Sequence, residues 1–230
     1  MGLLKSSLTR NLHRKDVKEM ANRRQSLSIL VCYFIVYALP TLLVTGFPHL
    51  GSEVYLIQTL DYLIGAIIIG WLAWHHAQPN TIEQQPSTWL STILWGLAGT
   101  FIVIVGQNAI LNLTRLLGQS TASENTSTLL AVGQKYPFFF LAVLVGAPIM
   151  EEIVFRKVIF GFFTPVTGSI GAAVISSLLF SFAHADGHLI LYAFVGLFFC
   201  WLYRHTGRIQ TSMIAHVLMN GAVVIPILFN

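Results

Sequence analysis

The sequence has very few charged residues for its length. Lysine, arginine, aspartate and glutamate make up 10% of its 230 residues, whereas ordinary soluble domains carry about a quarter. It has only two cysteines, Cys32 and Cys200, and both lie in apolar runs, where a free thiol behaves as a small hydrophobic group. No internal repeat, phosphate-binding glycine loop or Cys-x-x-Cys pair is present in the sequence. We therefore expect no disulfide framework, no cofactor and no nucleic-acid partner.

Apolar residues are abundant instead. They form 55% of the chain, and the mean hydropathy is +0.71, which is typical of an integral membrane protein. Apolar runs long enough to cross a bilayer predict an all-α, polytopic bundle of about seven spans, the sixth of them short. These predicted spans lie near 27–47, 54–74, 89–110, 137–162, 168–185, 189–203 and 209–229. The connections are short, so the sequence predicts one transmembrane bundle over 27–230 and no second globular domain.

The first 26 residues form a separate basic segment. They contain seven of the 13 lysines and arginines of the chain, and by the positive-inside rule this excess predicts a cytoplasmic N-terminus. The segment is either a helix lying on an anionic leaflet or a solvated basic tail. The small size and short loops suggest a multi-pass protein of a bacterial cell membrane.

Span four contains charges that are costly in lipid. Glu152 and Arg156 are four residues apart, with the acid before the base, so they can pair on one face of a helix. On an ordinary α-helix the Glu151 side chain points about 100° away from that of Glu152, so Arg156 cannot pair with both glutamates on one face. Glu151 therefore needs other polar groups around it. The alternative interpretation is that both glutamates belong to one stabilising ion network.

Two later spans can provide those polar groups. In "FSFAH" and "HVLMN", the first and last residues are one helical turn apart and share a face. A single histidine in an apolar helix is often only an interhelical contact. A glutamate, two histidines and an asparagine that meet in a water-filled pocket would, however, supply a base, its partner and donors for an oxyanion. The sequence therefore predicts a polar cavity within the membrane that is suited to hydrolysis.

This pattern resembles the CPBP family of intramembrane proteases, which comprises CAAX proteases and bacteriocin-processing enzymes and is also called the Abi family. The resemblance covers about 137–226, and the first 136 residues carry no signature of the family. One departure is Lys157, where many members have glycine. The three ordered motifs that carry the resemblance are Glu151-Glu152-x-x-x-Arg156, Phe180-x-x-x-His184 and His216-x-x-x-Asn220.

The resemblance implies glutamate-dependent hydrolysis of a peptide bond. It implies that Glu151 and His184 activate water, and that His216 and Asn220 stabilise the oxyanion. It assigns supporting roles to Glu152, Arg156 and Phe180. A metal-free site is the favoured interpretation, and the alternative is a zinc ion held by Glu151, His184 and His216, since one glutamate and two histidines form a known catalytic zinc set.

Three functions remain open from the sequence. The first is an intramembrane endopeptidase whose partners are the lipid bilayer and a membrane-associated peptide or protein substrate. The second is a bacteriocin self-immunity or resistance protein of the same family, a role that can coincide with proteolysis. The third is a non-proteolytic transporter or scaffold, which would spread its polar residues along several helices rather than concentrate them in spans four, five and seven.

Overall fold

The computed structural model describes residues 2–75, 79–118, 120–121 and 124–228, and side chains within 22–75, 79–118, 120–121 and 126–225. These residues form helices and short connections and contain no strand, which confirms the all-α prediction. In lipid the backbone has no water to bond with, so a helix, which satisfies its own N–H and C=O groups, is the stable choice for such apolar runs. The side chains of the basic segment before Asn22 lie outside the described part.

Seven helices account for most of the described residues. Between α1 and α2 lies a short 3₁₀ turn, Pro48–Leu50. The helices are α1 (Gly2–Gly46), α2 (Glu53–Trp74), α3 (Trp89–Leu116), α4 (Glu124–Lys135), α5 (Phe139–His184), α6 (Leu189–Thr206) and α7 (Ile209–Leu228).

Five helices of the described part are long and apolar enough to cross a membrane: Asn22–Gly46 of α1, then α2, α3, α5 and α6. Helix α7 adds a shorter apolar stretch, Ile209–Ile225. Helix α5 is interrupted at Gly168, whose φ of 70° is a left-handed conformation that glycine adopts without strain. Its two arms, 139–167 and 169–184, correspond to predicted spans four and five.

The two arms of α5 fold back on each other. The Ser176 hydroxyl donates a 2.6 Å hydrogen bond to the carbonyl oxygen of Phe155, which lies on the opposite arm. The rings of Phe155 and Phe180 meet edge to face, with centroids 5.3 Å apart. These contacts join residues that are nearly equidistant from the bend at Gly168, so the arms form an antiparallel pair.

The first arm of α5 is not an ordinary α-helix. Ala142–Gly146 and Glu152–Phe160 are π-helical, and the Gly161 N–H donates to the carbonyl oxygen of Arg156, five residues earlier. Such widened turns often occur at functional sites. The sequence pattern did not predict them. All five residues from Glu152 to Arg156 are buried, so this arm is surrounded by other helices at the level of its charged groups.

Glycines allow the surrounding helices to approach closely. A Cβ atom on Gly196 of α6 would lie 2.9 Å from the Cα atom of Ser177, and one on Gly96 of α3 would lie 2.7 Å from a methyl carbon of Ile214. Both distances are shorter than real side chains tolerate. Helix α6 therefore packs against the backbone of the second arm of α5, and α3 packs closely against the Ile214 side chain of α7.

Residues 79–88, in the connection between α2 and α3, cover one face of the bundle, which we call the closed face. The Lys157 ammonium group contacts the Glu83 carboxylate at 2.6 Å. The Ser87 N–H donates to the carbonyl oxygen of Thr206. Gln25, near the start of the first span, donates to the His75 carbonyl oxygen at 3.1 Å. The N-terminal end of the first span therefore lies at this closed face.

Candidate active site

A cavity of about 640 Å³ lies between the helices. Its wall includes Thr126 of α4 and His188 of the turn between α5 and α6, so it reaches the face opposite Lys157. Among the described residues that line it, Glu151 is the only acid, and lysine and arginine are absent. Its volume lies within the range of small-ligand sites. Five of the residues predicted for the site line this cavity: Glu151, Phe180, His184, His216 and Asn220.

Glu152 and Arg156 lie behind the cavity wall and form the predicted pair. Arg156 Nη2 is 3.4 Å from Glu152 Oε1, and both side chains are 0% exposed. An ion pair without solvent persists only when each charge has a counter-charge or hydrogen-bond partners. Glu152 is the only carboxylate paired with Arg156 among the described side chains.

Aromatic rings enclose the rest of the guanidinium group. The Arg156 Cζ atom lies 4.4 Å from the ring centroid of Phe180 and 5.6 Å from that of Phe199. A third ring, that of Phe155, lies 5.9 Å away. Desolvated cation–π contacts of this kind contribute about 2 kcal/mol. Phe180 also contacts His184, with ring centroids 4.4 Å apart, so it links the buried charge to the cavity wall.

His216 lies between the two glutamates. Its Nδ1 atom is 3.1 Å from Glu152 Oε1, where an N–H can donate to the carboxylate, and its Nε2 atom is 3.7 Å from Glu151 Oε2. The Glu151 side chain is 18% exposed and that of His216 is 4% exposed. Both ring nitrogens of His216 therefore face carboxylates, a contact that the sequence did not predict.

His184 is fixed at the end of the second arm of α5. Its Nδ1 atom lies 2.8 Å from the Phe180 carbonyl oxygen, to which it can only donate, and its ring stacks on Tyr192 at 3.9 Å between centroids. A neutral imidazole that donates through Nδ1 keeps a lone pair on Nε2. His184 can therefore accept a hydrogen bond from water through Nε2.

Asn220 lies one helical turn after His216, as the spacing predicted. Its Nδ2 atom donates to the Val143 carbonyl oxygen at 3.4 Å, which uses one of its two amide hydrogens. The acceptor lies in the π-helical turn that precedes the glutamates. The amide therefore anchors α7 to the first arm of α5 and keeps one hydrogen available.

The sequence missed three tyrosines of this cavity. Tyr33, Tyr37 and Tyr62 come from α1 and α2 and line the same wall as Glu151. Amphipathic periodicity could not reveal them, because a tyrosine in an apolar helix is equally typical of a membrane interface.

No group of three histidine, cysteine, aspartate or glutamate side chains within the described residues is arranged to hold a metal ion. Glu151, His184 and His216, the alternative zinc ligands, are among the residues to which this statement applies. Glu151 and His184 offer a carboxylate and an imidazole lone pair to a common cavity. The metal-free site stays a prediction.

Comparison with known proteins identifies the family. The sequence profile described as "Type II CAAX prenyl endopeptidase Rce1-like" matches residues 133–222. The chain is 41% identical over 144 residues to "Putative membrane peptidase YdiL" of Bacillus subtilis, a match that covers 62% of this chain and 59% of that protein. No solved structure matches the chain significantly.

A second relative matches over nearly the whole length. The chain is 34% identical over 223 residues to "Membrane-embedded CAAX protease MroQ" of Staphylococcus aureus, which covers 89% of this chain and 90% of that protein. It is also 27% identical over 164 residues to "UPF0177 protein YxdF" of Lactococcus lactis, over 67% of this chain and 86% of that protein. The chain is an integral membrane protein, and it belongs to the CPBP family of CAAX-protease-like membrane peptidases.

Proposed function

We propose that this protein is a glutamate-dependent intramembrane endopeptidase. The observation that carries the proposal is that two adjacent glutamates have different surroundings. Glu152 is buried against Arg156, whereas Glu151 faces the cavity beside His216. A carboxylate that reaches water in an otherwise apolar site is suited to act as a general base. The membership of a family of membrane peptidases supports the same reaction.

In the proposed reaction Glu151 accepts a proton from a water molecule. His184 Nε2 accepts a hydrogen bond from the second hydrogen of that water and orients it. The water oxygen forms a bond to the carbonyl carbon of the substrate, and the Asn220 amide donates to the developing oxyanion. When the C–N bond breaks, the proton held by Glu151 passes to the leaving nitrogen. In this scheme the His216 ring, whose Nδ1 atom is within hydrogen-bond distance of Glu152, also positions Glu151. Its role at the oxyanion beside Asn220, which the resemblance implies, stays a prediction.

The cavity favours an uncharged substrate segment. Its described lining offers no lysine or arginine to pair with a terminal carboxylate, and it is largely aliphatic and aromatic. A free carboxylate would be desolvated there without a cation, which is costly. We therefore infer that the substrate is a membrane-associated peptide or protein cut at an internal bond within an apolar stretch.

The orientation of the protein follows from its charges. Seven cationic residues lie among the first 26, before or at the start of the first span, whose N-terminal end lies at the closed face. The positive-inside rule then makes the closed face the cytoplasmic one in a bacterial cell membrane.

The proposal is tested without knowledge of the substrate by comparing membrane peptides from cells that express the wild type or Glu151→Ala. We expect a set of peptides with new termini only in the wild-type cells, cut within apolar stretches. Equal amounts of both proteins in the membrane, checked by immunoblot, are the control. Identical peptide profiles would argue against a peptidase.

The two glutamates should differ when each is replaced by glutamine. Glu151→Gln removes the base but strands no charge, so cleavage should fall by about 10²-fold or more while the melting temperature hardly changes. Glu152→Gln leaves Arg156 without its counter-charge, so we expect a loss of about 3–5 kcal/mol in stability together with lost activity. Cleavage rates and thermal melts of both variants in one detergent distinguish the catalytic glutamate from the structural one. A stable but inactive Glu152→Gln beside an unfolded Glu151→Gln would reverse the roles.

Activity should not depend on a divalent metal. In the proposed reaction Glu151 and His184 act on water directly, and the His216 ring contacts the two glutamates. After dialysis of the purified enzyme against a strong chelator, we expect the rate of cleavage of a peptide identified above to remain unchanged. Loss of activity that added zinc restores would instead make Glu151, His184 and His216 metal ligands.

A further inference from the structure

Three tyrosines of α1 and α2 form one side of the cavity: Tyr33, Tyr37 and Tyr62. They lie outside the residues that the family profile matches, 133–222. They line the same cavity as Glu151, so they can contact a substrate that is bound next to this carboxylate.

Close helix packing fixes these tyrosines at the level of the glutamates. A Cβ atom on Gly65 would lie 2.7 Å from a Val36 methyl carbon and 3.1 Å from the Met150 sulfur. Helices α1, α2 and α5 therefore meet at Gly65. Val36 follows Tyr33 by three residues and Met150 precedes Glu151, so this contact places Tyr33 beside the first arm of α5, which carries Glu151.

A second close contact holds Tyr62. A Cβ atom on Gly146, five residues before Glu151, would lie 3.1 Å from the Tyr62 carbonyl oxygen. Tyr62, Gln58 one helical turn earlier, and Tyr33 all line the cavity that Glu151 lines. Both tyrosines thus line the cavity into which the Glu151 carboxylate is exposed.

Tyr37 has a different role. Its hydroxyl donates a 3.1 Å hydrogen bond to the Ala183 carbonyl oxygen, next to His184. This bond occupies its only hydrogen and ties α1 to the end of α5. The Tyr33 ring stacks on Tyr37 and meets Phe155 edge to face, with centroids 6.2 Å and 6.1 Å away. The Tyr33 ring therefore packs on both Tyr37 and Phe155, and Tyr37 connects α1 to the end of α5.

The oxyanion of this reaction can use donors in addition to His216 and Asn220, which the family motifs provide. His216 Nδ1 lies 3.1 Å from Glu152 Oε1, while its Nε2 atom is 3.7 Å from Glu151 Oε2, beyond hydrogen-bond distance. Asn220 uses one amide hydrogen on Val143. A tetrahedral oxyanion is usually stabilised by two or more donors. A phenol keeps its proton beside a carboxylate and can donate it in a hydrogen bond, which is strong in a cavity with little water.

We propose that Tyr33 and Tyr62 are catalytic residues whose hydroxyl groups donate hydrogen bonds to the carbonyl oxygen of the scissile peptide bond. As water adds to the carbon, the carbonyl electron pair moves onto this oxygen, and both tyrosines strengthen their hydrogen bonds without losing their protons. When the C–N bond breaks, the electron pair returns and the nitrogen takes the proton from Glu151. This inference rests on the proposed peptidase function.

The test compares Tyr33→Phe and Tyr62→Phe with Tyr55→Phe. Tyr55 lies on α2 two turns before Tyr62, stacks on Tyr136 and is not among the described residues that line the cavity. The probe is the apolar peptide that the wild type cuts in the membrane-peptide comparison, synthesised with a fluorophore and a quencher. We expect kcat to fall about 10²-fold or more in each of the two cavity variants, with KM and melting temperature nearly unchanged. Tyr55→Phe should cleave like the wild type.

The outcomes separate the two proposals. If Glu151→Gln abolishes cleavage but both cavity variants keep a wild-type kcat, the tyrosines are not donors and the peptidase function stands. A fall in melting temperature or a rise in KM at constant kcat would make them packing or binding residues and overturn the inference. If Glu151→Gln cleaves as fast as the wild type, both proposals are wrong.

Discussion

The buried charge of Arg156 is the constraint on which the rest of the structure depends. Its guanidinium group has no access to solvent and lies in the middle of an apolar bundle. An isolated charge there would cost several kcal/mol, so the fold must supply a carboxylate and polarisable surfaces around it. Glu152 supplies the first, and the rings of Phe180 and Phe199 supply the second. These partners come from both arms of α5 and from α6, which are thereby drawn together.

The same network connects stability to chemistry. Glu152 Oε1 is close to both Arg156 and His216, and His216 in turn faces Glu151. The arginine thus fixes one glutamate, this glutamate fixes the histidine, and the histidine stands beside the acid that reaches the cavity. Phe180 adds a second connection, because its ring lies between Arg156 and His184. Arg156, which does not line the cavity, can therefore orient Glu151 and His184, which do.

Much of this arrangement could be predicted from the sequence. Apolar run lengths gave the helical spans, and the i to i+4 spacing of Glu152 and Arg156 gave their contact. The residues of the three motifs line or adjoin one cavity, because separated polar groups in lipid must find partners. The π-helical turns were not predicted, because a change from i→i−4 to i→i−5 backbone hydrogen bonds leaves no recognisable pattern in the local sequence. The positions of Tyr33 and Tyr62 at the cavity were not predicted either, because the contacts of Gly65 and Gly146 join distant parts of the chain.

The central claim is that Arg156 and Glu152 depend on each other in the core, and a double-mutant cycle tests it directly. Unfolding free energies are measured in one detergent for Glu152→Gln, Arg156→Gln and the double variant. Each single variant leaves a buried charge without its partner, whereas the double variant leaves none. The account predicts that the double variant loses less stability than the sum of the single losses, by about 2 kcal/mol or more. Losses that add to within about 0.5 kcal/mol would contradict it.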